Sequence, residues 1–432
     1  MKQVKKMSTG LIIALGFAGL ILLGTLVLLL PLSHNQGVNV SFIDAFFTAT
    51  SAVCVTGLVP IDLADNFNLL GQITVALLIQ VGGLGFASIG VGFMLFARKM
   101  INFKDRLIIK DALNVDSLKG IVKLVKAVLL ISLTFEAIGT VLNFLAFSKE
   151  YPLGKALWIS IFHAISSFNN CGYDILGGFK NLANYQDNLI INFSTTGLII
   201  FGGLGFVVIN EIITKRSFKK LSLHSKVVIT MTTSLLAVGT ILIKLTESNI
   251  TWLGAFFTST VARTAGFSTF SLAGFTNAGL LVVIILMFIG ASPGSTGGGI
   301  KTTTSFTLFK STYSTMTNKQ CSAFKRKIPQ EAVSKSYVLL MVAISFISLS
   351  TLLITMDNPT INFIDIFFET VSAFGTVGLS TGITPDLSPF SKFIVIGTMY
   401  VGRVGPLTIA SLFVHKKNNN NVSYSEESIA IG

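Results

Sequence analysis

Four times along this chain a short apolar segment, too short to cross a bilayer, runs into a glycine. The first reads Phe46-Phe-Thr-Ala-Thr-Ser-Ala-Val-Cys-Val-Thr-Gly57 and the fourth Phe367-Phe-Glu-Thr-Val-Ser-Ala-Phe-Gly-Thr-Val-Gly378, and the two align without a gap. Ile161 to Tyr173 and Ala255 to Phe267 are weaker copies. Counting back ten from each glycine gives Phe47, Phe162, Phe256 and Phe368; counting back six gives Ser51, Ser166, Thr260 and Ser372. A spanning helix needs about 20 apolar residues, so each segment dips into the membrane and returns.

A membrane setting follows from composition. Of 432 residues 51% are hydrophobic and 12% charged, and the mean hydropathy is +0.75, which excludes a water-soluble fold. Long apolar runs flank each short segment: Gly10 to Leu30 and Leu69 to Ala97, Ile121 to Phe147 and Leu189 to Ile213, Val227 to Ile243 and Gly274 to Gly290, Tyr337 to Ile354 and Phe390 to Val414. The chain therefore reads as an all-α polytopic membrane protein of eight transmembrane spans in four helix, pore loop, helix units. The expected boundaries are 1–97, 98–215, 216–319 and 320–415, with a tail over 416–432. Two spans per unit bring each copy into the membrane the same way up, so the units suit a pseudo-fourfold arrangement around one central pore. Inverted-repeat carriers need units that point oppositely.

The net charge of +13 is distributed by topology and does not form a nucleic-acid surface. Basic residues gather at the N-terminus (Lys2, Lys5, Lys6), over Arg98 to Lys126, over Lys215 to Lys226, over Lys310 to Lys335 and at Lys416 and Lys417, while most acids lie in the alternate connections. The positive-inside rule places both termini and the basic loops in the cytoplasm of a multi-pass cell-membrane protein. The first apolar run lacks a cleavage site and reads as an uncleaved span. Cys54, Cys171 and Cys321 have no metal-ligand spacing, and the scattered His34, His163, His224 and His415 suggest no relay.

The second helix of each unit carries its own repeat: Gly82-Gly-Leu-Gly85, Gly202-Gly-Leu-Gly205 and Gly402-Arg-Val-Gly405. In the third unit the matching place holds Gly290, Ala291, Ser292, Pro293, Gly294, Ser295, Thr296, Gly297, Gly298 and Gly299, followed by Ile300 and Lys301. About fifteen apolar residues precede this break, roughly 22 Å of helix where the hydrocarbon core is about 30 Å. Backbone without regular structure at that depth must be buried in protein or line water. Residues 290–304 are the expected gating loop. In the first two units the glycines, Gly82 to Gly85 and Gly202 to Gly205, read as sites of close helix packing.

A pore must replace the oxygens of an ion's hydration shell, and a ring of backbone carbonyls does so for potassium. The candidate filter loops are Val55-Thr56-Gly57, Asn170-Cys171-Gly172, Thr264-Ala265-Gly266 and Thr376-Val377-Gly378, each with one glycine able to take positive φ. Arg403, inside an otherwise uncharged span, is expected beneath the filter as an electrostatic barrier at the gate. Arg263 is expected to brace the filter from behind, with Glu369 as a partner, and Glu136 to bond a neighbouring helix. Lys301 meets a cytoplasmic acid or water. Asp44 and Asp365 are expected to cap the pore half-helices, whose C-terminal dipoles then favour cations.

These units, single filter glycines, the Arg263-Thr-Ala-Gly-Phe267 segment, the broken third inner helix and Gly402-Arg403 resemble the Trk/Ktr/HKT superfamily of cation transporters, over nearly the whole chain. The short eight-span form with a tail ending Glu427-Ser-Ile-Ala-Ile-Gly432 is similar to the membrane subunits of Ktr potassium uptake systems. The resemblance implies K+ at the filter residues, one pore per subunit, a homodimer in membrane lipid, and a cytoplasmic ring of regulatory subunits that holds ATP or ADP. No cofactor is expected in this chain, which has no phosphate-binding motif. The alternative is a sodium-permeable or sodium-coupled cation transporter of the same architecture, against which Gly57 argues, since serine there is the family's hint of sodium selectivity. An ordinary secondary carrier predicts no fourfold pattern, and an enzyme would need clustered His, Asp, Glu or Cys.

Overall fold

The computed structural model describes residues 9–96, 102–112 and 120–405, with positions 425 and 427 beyond them. The eighth expected span past Gly405, the rest of the C-terminal tail, and Lys2, Lys5, Lys6, Arg98, Lys99, Lys119, Lys416 and Lys417 lie outside the described residues.

Helices supply nearly all of the regular structure among the described residues. The first unit has α1 (Thr9–Leu28), a half-helix α2 (Phe42–Cys54), a turn α3 (Leu63–Asn66), and α4 (Leu69–Leu84) followed by α5 (Phe86–Phe96). A connecting helix α6 (Phe103–Ala112) leads to α7 (Ile121–Phe147), the half-helix α8 (Leu153–Phe168), and α9 (Leu189–Leu204) with α10 (Phe206–Lys215). The third unit has α11 (Leu223–Thr246), the half-helix α12 (Trp252–Val261), α13 (Asn277–Phe288) and, after the Gly-rich break, α14 (Thr302–Met316). The fourth has α15 (Gln330–Asp357), the half-helix α16 (Phe363–Gly375) and α17 (Pro389–Val404). Before α15 a two-residue antiparallel pair joins Ser322–Ala323 to Arg326–Lys327.

By length and apolarity α1, α11 and α15 are each able to cross a membrane unaided, and α9 with α10 do so together across a 95° bend. α7 covers its expected span residue for residue. The second helices are where expectation and structure part, because the single spans expected over Leu69 to Ala97 and Leu189 to Ile213 are each broken. Gly85 (φ 79°), Gly205 (φ 93°) and Gly405 (φ 94°) stop α4, α9 and α17 in the left-handed region that glycine adopts without a Cβ clash.

The first glycine of each cluster does a different job, and the expected close packing is found there. A Cβ on Gly82 would lie 2.0 Å from the Val53 carbonyl oxygen, one on Gly202 1.9 Å from that of Phe168, and one on Gly402 2.0 Å from that of Phe374. Each inner helix thus passes against the end of its own unit's half-helix. Between units, α4 packs on α8, α9 on α12, α13 on α16 and α17 on α2, so the last unit meets the first. The half-helices form the centre of this arrangement: Phe47, Phe162, Phe257 and Phe368 are fully buried.

Candidate cation path

Two of the half-helices, α2 and α12, start with side-chain caps, and all four end at the glycine loops. Ser41 caps α2, accepting from the Asp44 N–H, and Thr251 caps α12, accepting from the Gly254 N–H. Asp44 and Asp365 are not the caps expected of them; both sit in the first turn, behind Ser41 and Asn362. There a carboxylate still favours the helix N-terminus. At the other end the negative poles of α2, α8, α12 and α16 meet the four loops.

Three of the loops share one backbone design. Val55, Asn170 and Thr376 take the left-handed conformation (φ 55°, 59° and 50°), and Gly57, Gly172 and Gly378 follow at φ 89°, 91° and 92°. The next-to-last N–H of each loop returns to the serine carbonyl of its half-helix: Thr56 to Ser51 and Cys171 to Ser166, both 2.8 Å, and Val377 to Ser372, 2.9 Å. In the first and fourth loops the serine hydroxyl also accepts from the glycine N–H, at 3.0 Å from Gly57 to Ser51 and 3.1 Å from Gly378 to Ser372.

The third loop corrects the sequence alignment. Ala265 N–H bonds to the Val261 carbonyl at 2.8 Å, one residue closer than in the other units. The buried phenylalanine is correspondingly Phe257, and Phe256 is only partly covered. The structural equivalents of Ser51 and Phe47 are therefore Val261 and Phe257, where the sequence columns hold Thr260 and Phe256. One residue fewer in the turn removes the left-handed step, and neither Thr264 nor Gly266 has positive φ. Gly266 is needed for close approach instead.

That approach closes a ring. A Cβ on Gly57 would lie 1.9 Å from the Cys171 carbonyl oxygen, and one on Gly172 2.3 Å from the Gly266 nitrogen. One on Gly266 would lie 2.6 Å from the Gly378 carbonyl carbon, and one on Gly378 2.0 Å from the Thr56 carbonyl oxygen. All four loops contact their neighbours through backbone, in chain order, and the fourth touches the first.

The Gly-rich break lies against the inner side of this ring. Its base is pinned where the Gly290 N–H donates to the Ile300 carbonyl, 2.8 Å. Ser292 N–H donates to the Gly203 carbonyl at 3.1 Å, and Phe206 N–H donates to the Gly294 carbonyl at 2.9 Å. The Thr296 hydroxyl reaches the Phe168 carbonyl and Asn170 Oδ1, each 3.2 Å, and Gly298 N–H donates to Thr376 Oγ1 at 3.0 Å. Ala291, Ser292 and Thr296 are wholly buried, and Pro293 and Ser295 partly so. A Cβ on Gly297 would meet Thr264 Cγ2 at 2.7 Å.

Arg403 crosses from α17 to this segment. Its guanidinium donates to the Thr296 carbonyl and to the carbonyls of Gly82 and Gly83, the last at 3.1 Å, and lies 5.8 Å from the centre of the Phe17 ring. Those carbonyls belong to the last turn of α4, where a cation is favoured. Arg263, 5% exposed, reaches Thr232 Oγ1 at 3.5 Å and does not meet Glu369, whose Oε1 accepts from Thr384 Oγ1 at 2.5 Å.

Sequence reasoning missed two features. Glu136 Oε2 accepts from Gln80 Nε2 (3.2 Å) and Oε1 from Asn169 Nδ2 (3.3 Å), so the carboxyl holds the residue beside Asn170. The Glu136 hydrogen bond to a neighbouring helix was legible, but not its reach to the filter. Between α3 and the connection after α8, Asp62 accepts from Phe179 N–H (2.7 Å) and Asp65 from Gly178 N–H (3.0 Å), joining the first two units. Beside them burial pushes the Asp174 carboxyl up to about 7; the Leu176 N–H it accepts opposes the rise, and Asp62 adds to it.

The chain is similar to known proteins throughout. A family described as TrkH, cation transport protein, matches residues 17–424. The chain is 40% identical to the potassium/sodium uptake protein NtpJ of Enterococcus hirae, covering 99% of this chain and 98% of the relative. It is 35% identical to the Ktr system potassium uptake protein B of Bacillus subtilis, covering 98% and 96%. Its fold matches the crystal structure of the potassium transporter TrkH from Vibrio parahaemolyticus with a TM-score of 0.77, at 19% identity, over 96% of this chain and 86% of that one.

Proposed function

The chain belongs to the TrkH family of cation transport proteins, and from that premise we propose that the ring of four glycine loops is the selectivity filter through which it takes up potassium. The protein transports potassium. The observation that carries the filter assignment is the closed backbone ring of Gly57, Gly172, Gly266 and Gly378 at the ends of four half-helices. Carbonyls there replace the hydration shell of K+, and the four helix C-termini supply negative potential.

In this reading the units over 1–97, 98–215, 216–319 and 320–415 surround one pore with eight passes of the cell membrane, termini inside. Residues 290–299 with Arg403 form the gate. Its support is position: the segment bonds to the filter-loop residues Asn170 and Thr376 from within, and Arg403 holds it to α4. A cytoplasmic regulatory ring holding ATP or ADP docks on the basic loops over 98–126 and 215–226. Support for it comes from the charge of those loops and from relatives named as parts of a Ktr system. Pairing as a homodimer rests on the family resemblance.

Growth of a potassium-uptake-deficient bacterium on low potassium, with rubidium-tracer uptake, tests the reading. The parent chain is expected to rescue growth with a Ktr-type regulatory subunit, and each of Gly57→Ser, Gly172→Ser, Gly266→Ser and Gly378→Ser to weaken uptake or discrimination against sodium. Parental kinetics and selectivity in all four variants would remove the filter assignment.

A further inference from the structure

Three consecutive carbonyls of the Gly-rich segment, those of Thr296, Gly297 and Gly298, are held by two cations. Arg403 takes the first. Lys301 Nζ takes the second at 2.7 Å and reaches the third at 3.4 Å. Lys301 is the N-cap residue of α14, in extended conformation (φ −72°, ψ 147°), and its side chain folds back over the segment it follows. Its nearest partners are these backbone carbonyls and not the cytoplasmic acid that the sequence allowed. It is partly buried, and no acid among the described residues pairs with it.

The chemistry of the segment explains why a cation sits there. Gly297, Gly298 and Gly299 have no side chains to cover their carbonyls. The segment is also pressed against the filter loops, where a Cβ on Gly298 would meet Thr376 Oγ1 at 2.4 Å. Carbonyls taken out of water without a donor are costly. A compact ammonium with three donors satisfies two oxygens at once, carrying the same unit charge as an alkali ion.

We propose that Lys301 is a tethered cation that occupies the gate's own carbonyls when the gate is shut, so that a permeating cation opens the path by displacing it. The proposal rests on residues 290–299 being the gate. It makes the closed state depend on the charge of residue 301 and on the concentration of permeant cation, which a merely structural lysine does not.

The test uses the full chain, purified and reconstituted in liposomes, with potassium flux measured for Lys301→Arg, Lys301→Gln, Lys301→Met and a deletion of residues 295–299. Loss of the charge in Gln and Met is expected to raise basal flux about tenfold, the size of one charge-assisted hydrogen bond, while Arg stays near the parent. In the parent, flux should rise more than proportionally with potassium on the cytoplasmic side, and Lys301→Gln should abolish that curvature. If the deletion raises flux while Gln and Met match the parent, the gate stands and the tethered cation is overturned. If Met opens the path and Gln does not, the hydrogen bond matters and the charge does not, which also overturns it. If the deletion itself fails to raise flux, the gate reading falls. For variants that do not fold, Lys301→Cys is treated with an aminoethyl or a neutral methyl thiosulfonate, with the parent as control for Cys54, Cys171 and Cys321. Closure by the ammonium reagent alone supports the proposal, and equal responses overturn it.

Discussion

Lys392 Nζ lies 2.9 Å from Asp44 Oδ1, joining the second helix of the last unit to the first half-helix of the chain. The side chains are only 10% and 17% exposed, so the pair lies between the surface case, worth at most about 1 kcal/mol, and the fully buried one. It closes the circle of units at the start of α2 and the start of α17.

Replacing Lys392 by methionine is expected to cost about 2 kcal/mol, because Asp44 is left partly buried without its cation. The measure is the thermal midpoint of monodispersity in detergent. Exchanging the two charges (Asp44→Lys with Lys392→Asp) should recover more than half of the loss, and an unchanged midpoint in Lys392→Met would show that packing alone closes the circle.

The serine hydroxyls under the first and fourth filter loops are not equivalent to that of the second. Ser51 and Ser372 accept from Gly57 and Gly378, whereas the Ser166 hydroxyl has no protein partner among the described residues. Ser51→Ala and Ser372→Ala should each reduce potassium over sodium selectivity about fivefold, equivalent to about 1 kcal/mol for one hydrogen bond. Ser166→Ala should change it little. Competition of sodium with rubidium uptake reads this directly.

Glu136 should be partly replaceable by glutamine, whose single amide oxygen can still accept from Gln80 Nε2, while Asn169 Nδ2 keeps Gln80 Oε1 and the Ile165 carbonyl as acceptors. Glu136→Leu leaves Gln80 Nε2 without its acceptor, at about 1–3 kcal/mol. Selectivity should then fall further in the leucine variant than in the glutamine one. Equal loss in both would assign the effect to the charge.

The Asp174 carboxyl, pushed up to about 7 chiefly by burial, is charged above that pH and neutral below it. In the proposed topology it stands at the outer mouth of the path, where its negative charge raises local cation concentration. Lowering external pH from about 8 to about 6 should therefore weaken uptake at low external potassium, by about twofold for one unit charge. Asp174→Asn should give the low-pH rate throughout. A pH response unaltered in the variant would place the titrating group elsewhere.

The amino-acid sequence alone determined the membrane setting, the helical class, the short apolar segments, the glycine that ends each of the four loops and the interrupted third inner helix. These are local properties: hydropathy selects what enters lipid, and glycine marks where the backbone turns or crowds. Arg403 was legible for the same reason, as a charge in an apolar run. Tertiary structure decided what depends on turn length and on packing between units far apart in the chain. Periodicity does not record that the third loop is one residue tighter, so Phe257 replaces Phe256 in the core, or that Gly85, Gly205 and Gly405 end helices while Gly82, Gly202 and Gly402 admit a neighbour. It equally leaves open which buried cation meets which oxygen. Lys301 and Arg403 find adjacent carbonyls, Arg263 finds Thr232 instead of Glu369, and Lys392 finds Asp44 across the whole chain, because in a low-dielectric interior each charge settles where the folded backbone leaves an acceptor within reach.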